Sequence, residues 1–238
     1  MILPADTVRQ TVNSLNVFIS DCETYSETLD NFKNRKLYGM IEQPHSSFEI
    51  RVEGTVRTGL DIYEEYTAHP LEYAIMKVQT PLTEPGEAIK KYHRSLGLDP
   101  MDGPYDKALR IMEGLYRDYY YTPGRTGIHE TAETAFSMGE GVCQDYAHIM
   151  LSLLRMEEIP ARYVVGMIQG EGSSHAWTEA LCRGYWYGFD PTNCRLVNDE
   201  YIRISCGRDS GDCPVIRGSF YGLAEQRQQE TVLVEELI

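Results

Sequence analysis

Cys143, His175 and Asp190 fall in that order within the stretch Gly139 to Pro191. Sulfur attack on an amide carbonyl needs a thiolate, a proton carrier for the departing amine, and a third group that fixes the imidazole tautomer and supports its positive charge. The three residue types supply those parts in order. Cys143 lies in Gly139-Glu-Gly-Val-Cys143-Gln-Asp-Tyr-Ala-His-Ile-Met-Leu-Ser-Leu-Leu-Arg155, where Val142, Tyr146, Met150, Leu153 and Leu154 recur at helical spacing. That spacing predicts a helix entering a core. A sulfur at a helix start feels unpaired N–H groups and the positive end of the macrodipole, both of which favour thiolate over thiol. The glycines before it let the backbone turn sharply.

The histidine and the aspartate need strands to hold them. Ile159 to Ile168 is rich in β-branched and aromatic residues and ends before Gln169-Gly-Glu-Gly172, the pattern of a buried strand and a loop. Ser174 to Leu181, Arg183-Gly184 and Tyr185 to Asp190 then read as a hairpin. A two-residue turn at Arg183-Gly184 sets Asp190 opposite Trp177 and diagonal to His175, whereas a four-residue loop sets it directly opposite His175. Either register leaves both side chains on one face, because strand side chains alternate.

Other residues of reactive type have local explanations. The six cysteines, Cys22, Cys143, Cys182, Cys194, Cys206 and Cys213, contain no C-x-x-C pair, which argues against a structural zinc module. Free, mostly buried thiols are expected of those lacking a helix start and a glycine turn. His148 lies five positions along the helix, roughly 7.5 Å down its axis from Cys143, and reads as structural. Asp145 and Glu140 suit acids at a helix start. Asp190 also suits the first position of an Asp-Pro-Thr-Asn turn. Gln144, beside the sulfur, and Trp177, next but one to His175, are candidates for lining a substrate cleft, with a core role equally open to Trp177. Sulfur, nitrogen and oxygen of Cys143, His175 and Asp190 could instead ligate zinc, but that set needs a fourth ligand or water. Nothing resembles a calcium loop either, so neither metal nor cofactor is expected.

Four blocks carry a family resemblance. Gly-Glu-Gly-Val-Cys143-Gln-Asp-Tyr-Ala-His-Ile, Ile-Pro-Ala-Arg-Tyr-Val-Val-Gly, Ser-His175-Ala-Trp and Gly-Phe-Asp190-Pro-Thr-Asn resemble, in kind and order, the bacterial transglutaminase-like family, whose members are often labelled cysteine proteases. The resemblance continues through Gly207-Arg-Asp209 and Pro214 to Arg217-Gly218, and runs from about Leu15 to Gly222. It implies a papain-like core with a Cys-His-Asp triad, and each triad position is filled here. The family usually has glycine where Lys33 stands. Some transglutaminases are thought to use an upstream tryptophan for the oxyanion, whereas Trp177 and Trp186 both follow the cysteine. The implied function is a thiol-dependent amide-bond enzyme working through a thioester on a peptide or protein substrate, as a peptide or isopeptide hydrolase. Transamidation or deamidation of glutamine side chains, and a catalytically silent binding module, are the alternatives.

The 238-residue chain carries a formal net charge of −14 with its acids dispersed. Such a surface argues against nucleic acid or an anionic membrane as partner. No apolar run is long enough to cross a bilayer. Met1-Ile-Leu-Pro-Ala-Asp lacks the charged and apolar regions of a signal peptide, so a cytoplasmic location is expected.

The remaining elements read as follows. Leu15 to Arg57 is β, with Phe48, Ile50, Val52 and Val56 alternating against polar neighbours and Asp30 to Asn34 as a turn. Pro85 opens a helix to about Leu96, and Asp102 with Pro104 starts another, striped by Tyr105, Ala108, Leu109, Met112, Leu115, Tyr116 and Tyr119. Tyr121 to Gly127 is a loop, Glu130 to Met138 a short helix, and Tyr201 to Ser205 a strand. Ser219 to Gly222 reads as a last strand, and Gln226 to Ile238 as a strand or an acidic tail. The fold expected is α+β. An N-terminal all-β subdomain (1–75) precedes a papain-like, transglutaminase-like core (76–238), in which the cysteine helix packs on an antiparallel sheet bearing the histidine and aspartate. The boundary is placed within Leu60 to Leu82.

Overall fold

Arg183 and Gly184 take positive φ of 53° and 85°, the tight hairpin turn that two such residues allow. In the computed structural model, which describes residues 1–22, 24–59, 63–65, 70–223, 225 and 227–237, this turn joins two strands of a central sheet. Along the chain the strands are β1 (Ile2–Leu3), β2 (Thr11–Ile19), β3 (Tyr25–Leu29), β4 (Arg35–Gly39), β5 (Ile50–Arg57), β6 (Glu64–Glu65), β7 (Tyr120–Tyr121), β8 (Glu140–Gly141), β9 (Ala161–Ile168), β10 (Gly170–Gly172), β11 (His175–Cys182), β12 (Tyr185–Asp190), β13 (Arg195–Leu196), β14 (Tyr201–Gly207) and β15 (Val232–Val234). The helices are α1 (Pro70–Ile75), α2 (Glu87–Ser95), α3 (Pro104–Asp118), α4 (Ala132–Met138) and α5 (Cys143–Met156).

The central sheet runs β13-β12-β11-β9-β14, all antiparallel, with β6 added against β12. One face carries α5. Tyr146, Ala147, Met150 and Leu154 belong to the same core as Ala161, Tyr163, Val165, Ala176, Ala180 and Phe189 of the sheet, together with Ile89 of α2 and Ala108, Ile111 and Leu115 of α3. Each Ile, Leu, Val, Met or Phe side chain among them, fully removed from water, contributes about 1.5–3 kcal/mol. Helical periodicity foresees only one side of α5. In fact every residue from Asp145 to Arg155 is buried, because α2, α3 and α4 close over the side the sheet leaves open. Its buried guanidinium is paired: Arg155 donates to the carbonyls of Met76, Ala161 and Arg208 and to Thr83 Oγ1.

The opposite face of the sheet holds Val164, Trp177, Val197, Tyr201 and Cys206. Beside them, Arg162 bridges Glu179 and Glu64 at 2.6 Å each, and Arg203 reaches Glu64 at 2.7 Å. These pairs pin β6, from the N-terminal part of the chain, to the central sheet.

The N-terminal strands form a β1-β4-β3 sheet and a β2–β5 ribbon. Asn34 ties them to β14 by exchanging two 2.8 Å hydrogen bonds with the backbone of Cys206. Lys33 sits at φ 63°, the left-handed position that suits glycine, in a turn whose Asp30 Oδ1 accepts from the N–H groups of Phe32 and Asn34. The expected alternation holds from Ile50 to Glu53 and fails after Gly54, opposite the register shift between Val12 and Ser14, while Phe48 lies outside the strand and is exposed. Ser219 to Gly222 forms no strand; a C-terminal strand is present at Val232–Val234, on β10. Residues 60–62 and 66–69, within the expected boundary, lie outside the described residues, as do Gln226 and Ile238 of the expected tail. Among the described residues no helix is long and apolar enough to cross a membrane.

Candidate active site

Cys143 is the first residue of α5 and is half-buried. Gly139 ends α4 in the left-handed region, at φ 76°, and turns the chain into β8. Val142 then caps α5 in an extended conformation, held by the Asp145 carboxylate, whose Oδ2 accepts from Val142 N–H at 2.8 Å and from Thr126 Oγ1 at 2.6 Å. Burial pushes the Asp145 carboxyl upward, against these two hydrogen bonds. The N–H groups of Cys143 and Gln144 have no acceptor among the described residues, as the first turn of a helix dictates.

Gly141 is required for space rather than for its torsion. A methyl group there would collide with Asp145 Oδ2 and the Tyr119 hydroxyl. Gly141→Ala is therefore expected to lose about 1–3 kcal/mol in urea unfolding and to slow alkylation of Cys143, because the carboxylate that caps α5 must move. Gly127→Ala, where the added carbon meets nothing, should change neither.

Thr178 Oγ1 donates to Ala147 O of α5, so alternation sets His175, Trp177 and Glu179 on the opposite face of β11. His175 opens the strand, at the end of the sheet near the start of α5. The pairing from Cys182–Tyr185 to Thr178–Phe189, continued by one step, puts Asp190 opposite Trp177. The two-residue turn thus decides the register, and Asp190 lies diagonal to His175. His175 Nε2 donates to Asp190 Oδ2 at 2.9 Å, and the Cys143 sulfur lies close enough to the ring to act on its protonation. With Nε2 committed to Asp190, Nδ1 is the nitrogen left for the sulfur.

Asp190 is wholly buried, and its two oxygens do different things. Oδ1 accepts from the N–H groups of Thr192 and Asn193 at 3.0 and 3.2 Å, which builds the Asp-Pro-Thr-Asn turn. Oδ2 accepts from His175, from Asn193 Nδ2 at 2.7 Å and from the Tyr201 hydroxyl at 2.7 Å. Burial alone would raise its carboxyl; the hydrogen bond and charge of His175, then Tyr201 and Asn193, hold it below the ordinary range. For His175 burial alone would lower the imidazole, but the hydrogen bond and charge of Asp190, together with the nearby Cys143 sulfur, lift it to about 9.

A raised imidazole adds stability while it is protonated in the native state. That contribution is complete below the unfolded value of 6.5 and is lost as pH rises through about 9. Urea unfolding is expected to show wild type losing on the order of 3 kcal/mol across that window relative to His175→Gln. Parallel pH profiles for the two proteins would contradict it.

Trp177 needs correction as a cleft residue. It is completely buried, nearly parallel to His175 at 6.3 Å between ring centroids and edge-on to Tyr201 at 5.3 Å. It supports the imidazole from below. Gly166 leaves room for it, since a side chain there would strike the indole. Gln144 is half-buried and donates to Ile128 O at 3.2 Å, which ties the loop before α4 to the start of α5. His148 is buried, accepts from Ser210 N–H at 3.1 Å, and is pushed down to about 4 by burial, so it is a neutral structural residue. Among the described residues, no three His, Cys, Asp or Glu side chains converge with metal-ligand spacing.

Sequence reasoning missed Tyr201, Arg195 and Tyr121. Arg195 Nε donates to the Tyr201 hydroxyl at 2.7 Å. Tyr121 is half-exposed beside Cys143, and its hydroxyl is raised by burial and then by the sulfur's charge. Asn193 was visible in the Asp-Pro-Thr-Asn run, without a signal for its contact with Oδ2.

Residues 95–191, which contain Cys143, His175 and Asp190, match the model of the transglutaminase-like superfamily. An uncharacterized protein of Mycobacterium leprae is 39% identical over 112 residues, a match spanning 43% of this chain and 40% of that relative. An uncharacterized protein of Mycobacterium bovis is 27% identical over 233 residues, spanning 84% of this chain and 73% of that one. The crystal structure of a "Putative Cysteine Protease" from Cytophaga hutchinsonii superposes with a TM-score of 0.73 at 24% identity, covering 89% of this chain and 76% of that one. Residues 95–191 are thus transglutaminase-like, and the chain shares the mixed α and β fold of the Cytophaga hutchinsonii structure.

Proposed function

We infer that this chain, whose residues 95–191 form a transglutaminase-like domain, is a thiol-dependent amide-bond enzyme using Cys143 as nucleophile, His175 as proton carrier and Asp190 as its orienting anion. The observation that carries the reading is the His175–Asp190 hydrogen bond with the Cys143 sulfur, at the first turn of a helix, near the same imidazole.

The steps follow from that arrangement. The Cys143 thiolate adds to the carbonyl carbon, and the unpaired N–H groups of the first turn are the donors that would stabilise the oxyanion. As the C–N bond breaks, the imidazolium gives its proton to the departing amine, leaving a thioester on the sulfur. His175 then takes a proton from water, which attacks the thioester, releases a carboxylic acid and returns the thiolate. An amine in place of water gives transamidation. Hydrolysis of a peptide or isopeptide is favoured, because water is abundant and selection of an amine needs a second pocket.

Incubation with a peptide library, with and without a primary amine, and mass analysis of the products test this. Shortened peptides support hydrolysis, the small mass gain of glutamine deamidation or an amine adduct assigns the alternatives, and no Cys143-dependent product with any peptide contradicts the enzymatic reading.

A further inference from the structure

We propose that Tyr201, backed by Arg195, is a positioning residue that limits how tightly Asp190 holds the His175 imidazole. This rests on the triad reading of Cys143, His175 and Asp190. Tyr201 opens β14 and is 5% exposed. Its hydroxyl accepts from Arg195 Nε at 2.7 Å and donates to Asp190 Oδ2 at 2.7 Å. Chemistry fixes the direction: a guanidinium only donates and an ionised carboxylate only accepts, so the single hydroxyl proton points at Asp190. The Arg195 guanidinium carbon also lies 4.9 Å from the centroid of the Tyr201 ring, and Nη1 reaches Glu200 Oε2 at 2.7 Å. A cation therefore stands one hydroxyl away from the carboxylate.

Tyr201, Asn193 and His175 share one oxygen of Asp190. Each donor draws on the negative charge that would otherwise act on the imidazolium alone. An imidazolium held too firmly is a poor acid toward a leaving amine, so competition from the phenol favours transfer. The other ionisable groups around this chain are Cys143 from α5, Arg195 from β13 with Glu200 behind it, Cys194 in the turn beside Asp190, and Glu230, which accepts from Ser174 N–H next to His175.

The test is a pH titration of the His175 ring nitrogens by NMR in protein labelled with ¹⁵N-histidine, the resonance being assigned by its loss in His175→Gln. Tyr201→Phe is expected to raise the midpoint by about half to one pH unit, the worth of one hydrogen bond to the carboxylate. Arg195→Met should move it the same way by less, and Arg195→Lys should restore part of the difference. A purely structural role predicts lost thermal stability with an unmoved midpoint. Unmoved or lowered midpoints in both Tyr201→Phe and Arg195→Met overturn the proposal. Should Tyr201→Phe fail to fold, Arg195→Met decides, since that side chain is 39% exposed. The titration reads the imidazole whether or not any substrate turns over, and Cys143 alkylation on the same samples reports separately on the triad.

Discussion

Alanine at Cys143 is expected to leave a folded protein that forms no covalent adduct with an amide-directed reagent and loses turnover by about 10⁴-fold or more. The residue is half-buried and packs only at the margin of the core, so the loss is chemical rather than structural. None of the other five thiols has a comparable setting. Cys182 is buried, and that burial pushes its thiol up to about 12; burial also raises Cys213 and Cys194. Cys206 is buried in the sheet, and Cys22 donates to Thr24 O among the N-terminal strands. Brief alkylation near neutral pH, read by intact mass and peptide mapping, should therefore modify wild type once, at Cys143. An unchanged rate of modification in Cys143→Ala would remove the cysteine from the proposed chemistry.

How far the sequence foretold this site depends on how local each feature is. The start of α5 was legible because a glycine turn and an apolar stripe are short-range signals. The hairpin was legible too, though its register stayed open until Arg183 and Gly184 were seen to form a two-residue turn. Asp190 had two competing explanations, and both hold, because a carboxylate has two oxygens and each serves one of them. What stayed hidden is made by pairing across the sheet. Tyr201 reaches Asp190 only because β14 lies beside β9 and the phenol crosses the face shared with Trp177. The burial of Trp177 depends likewise on a glycine at position 166 in the neighbouring strand. Periodicity sees one face of one element and cannot report what covers the other, as the enclosure of α5 shows.

Asp190→Asn should cost activity by about 10²–10⁴-fold while leaving a folded protein, and its pH dependence should separate the two roles of the residue. An asparagine can keep one oxygen toward Thr192 and Asn193, preserving the turn. Its amide NH₂ then faces the three donors that Oδ2 now accepts from, His175, Asn193 and Tyr201. Flipping the amide only moves the conflict to the turn. Either way the anion is gone, and the burial that lowers His175 acts without its main opponent. The imidazole then titrates lower than in wild type, so less of it holds a proton to give a leaving amine as pH rises. In wild type the proton is retained up to about 9, so the ratio of wild-type to variant activity should widen as pH rises from 6 toward 9. The stability lost by wild type across the same window should be missing from the variant. Asp190→Ala is the poorer probe. It strands the buried Tyr201 hydroxyl and removes the acceptor of the turn amides of Thr192 and Asn193, a loss of about 1–3 kcal/mol that mixes unfolding with chemistry. An Asp190→Asn protein with wild-type activity throughout pH 6 to 9 would reduce the aspartate to a builder of the Asp-Pro-Thr-Asn turn, and leave Cys143 and His175 to act as a pair.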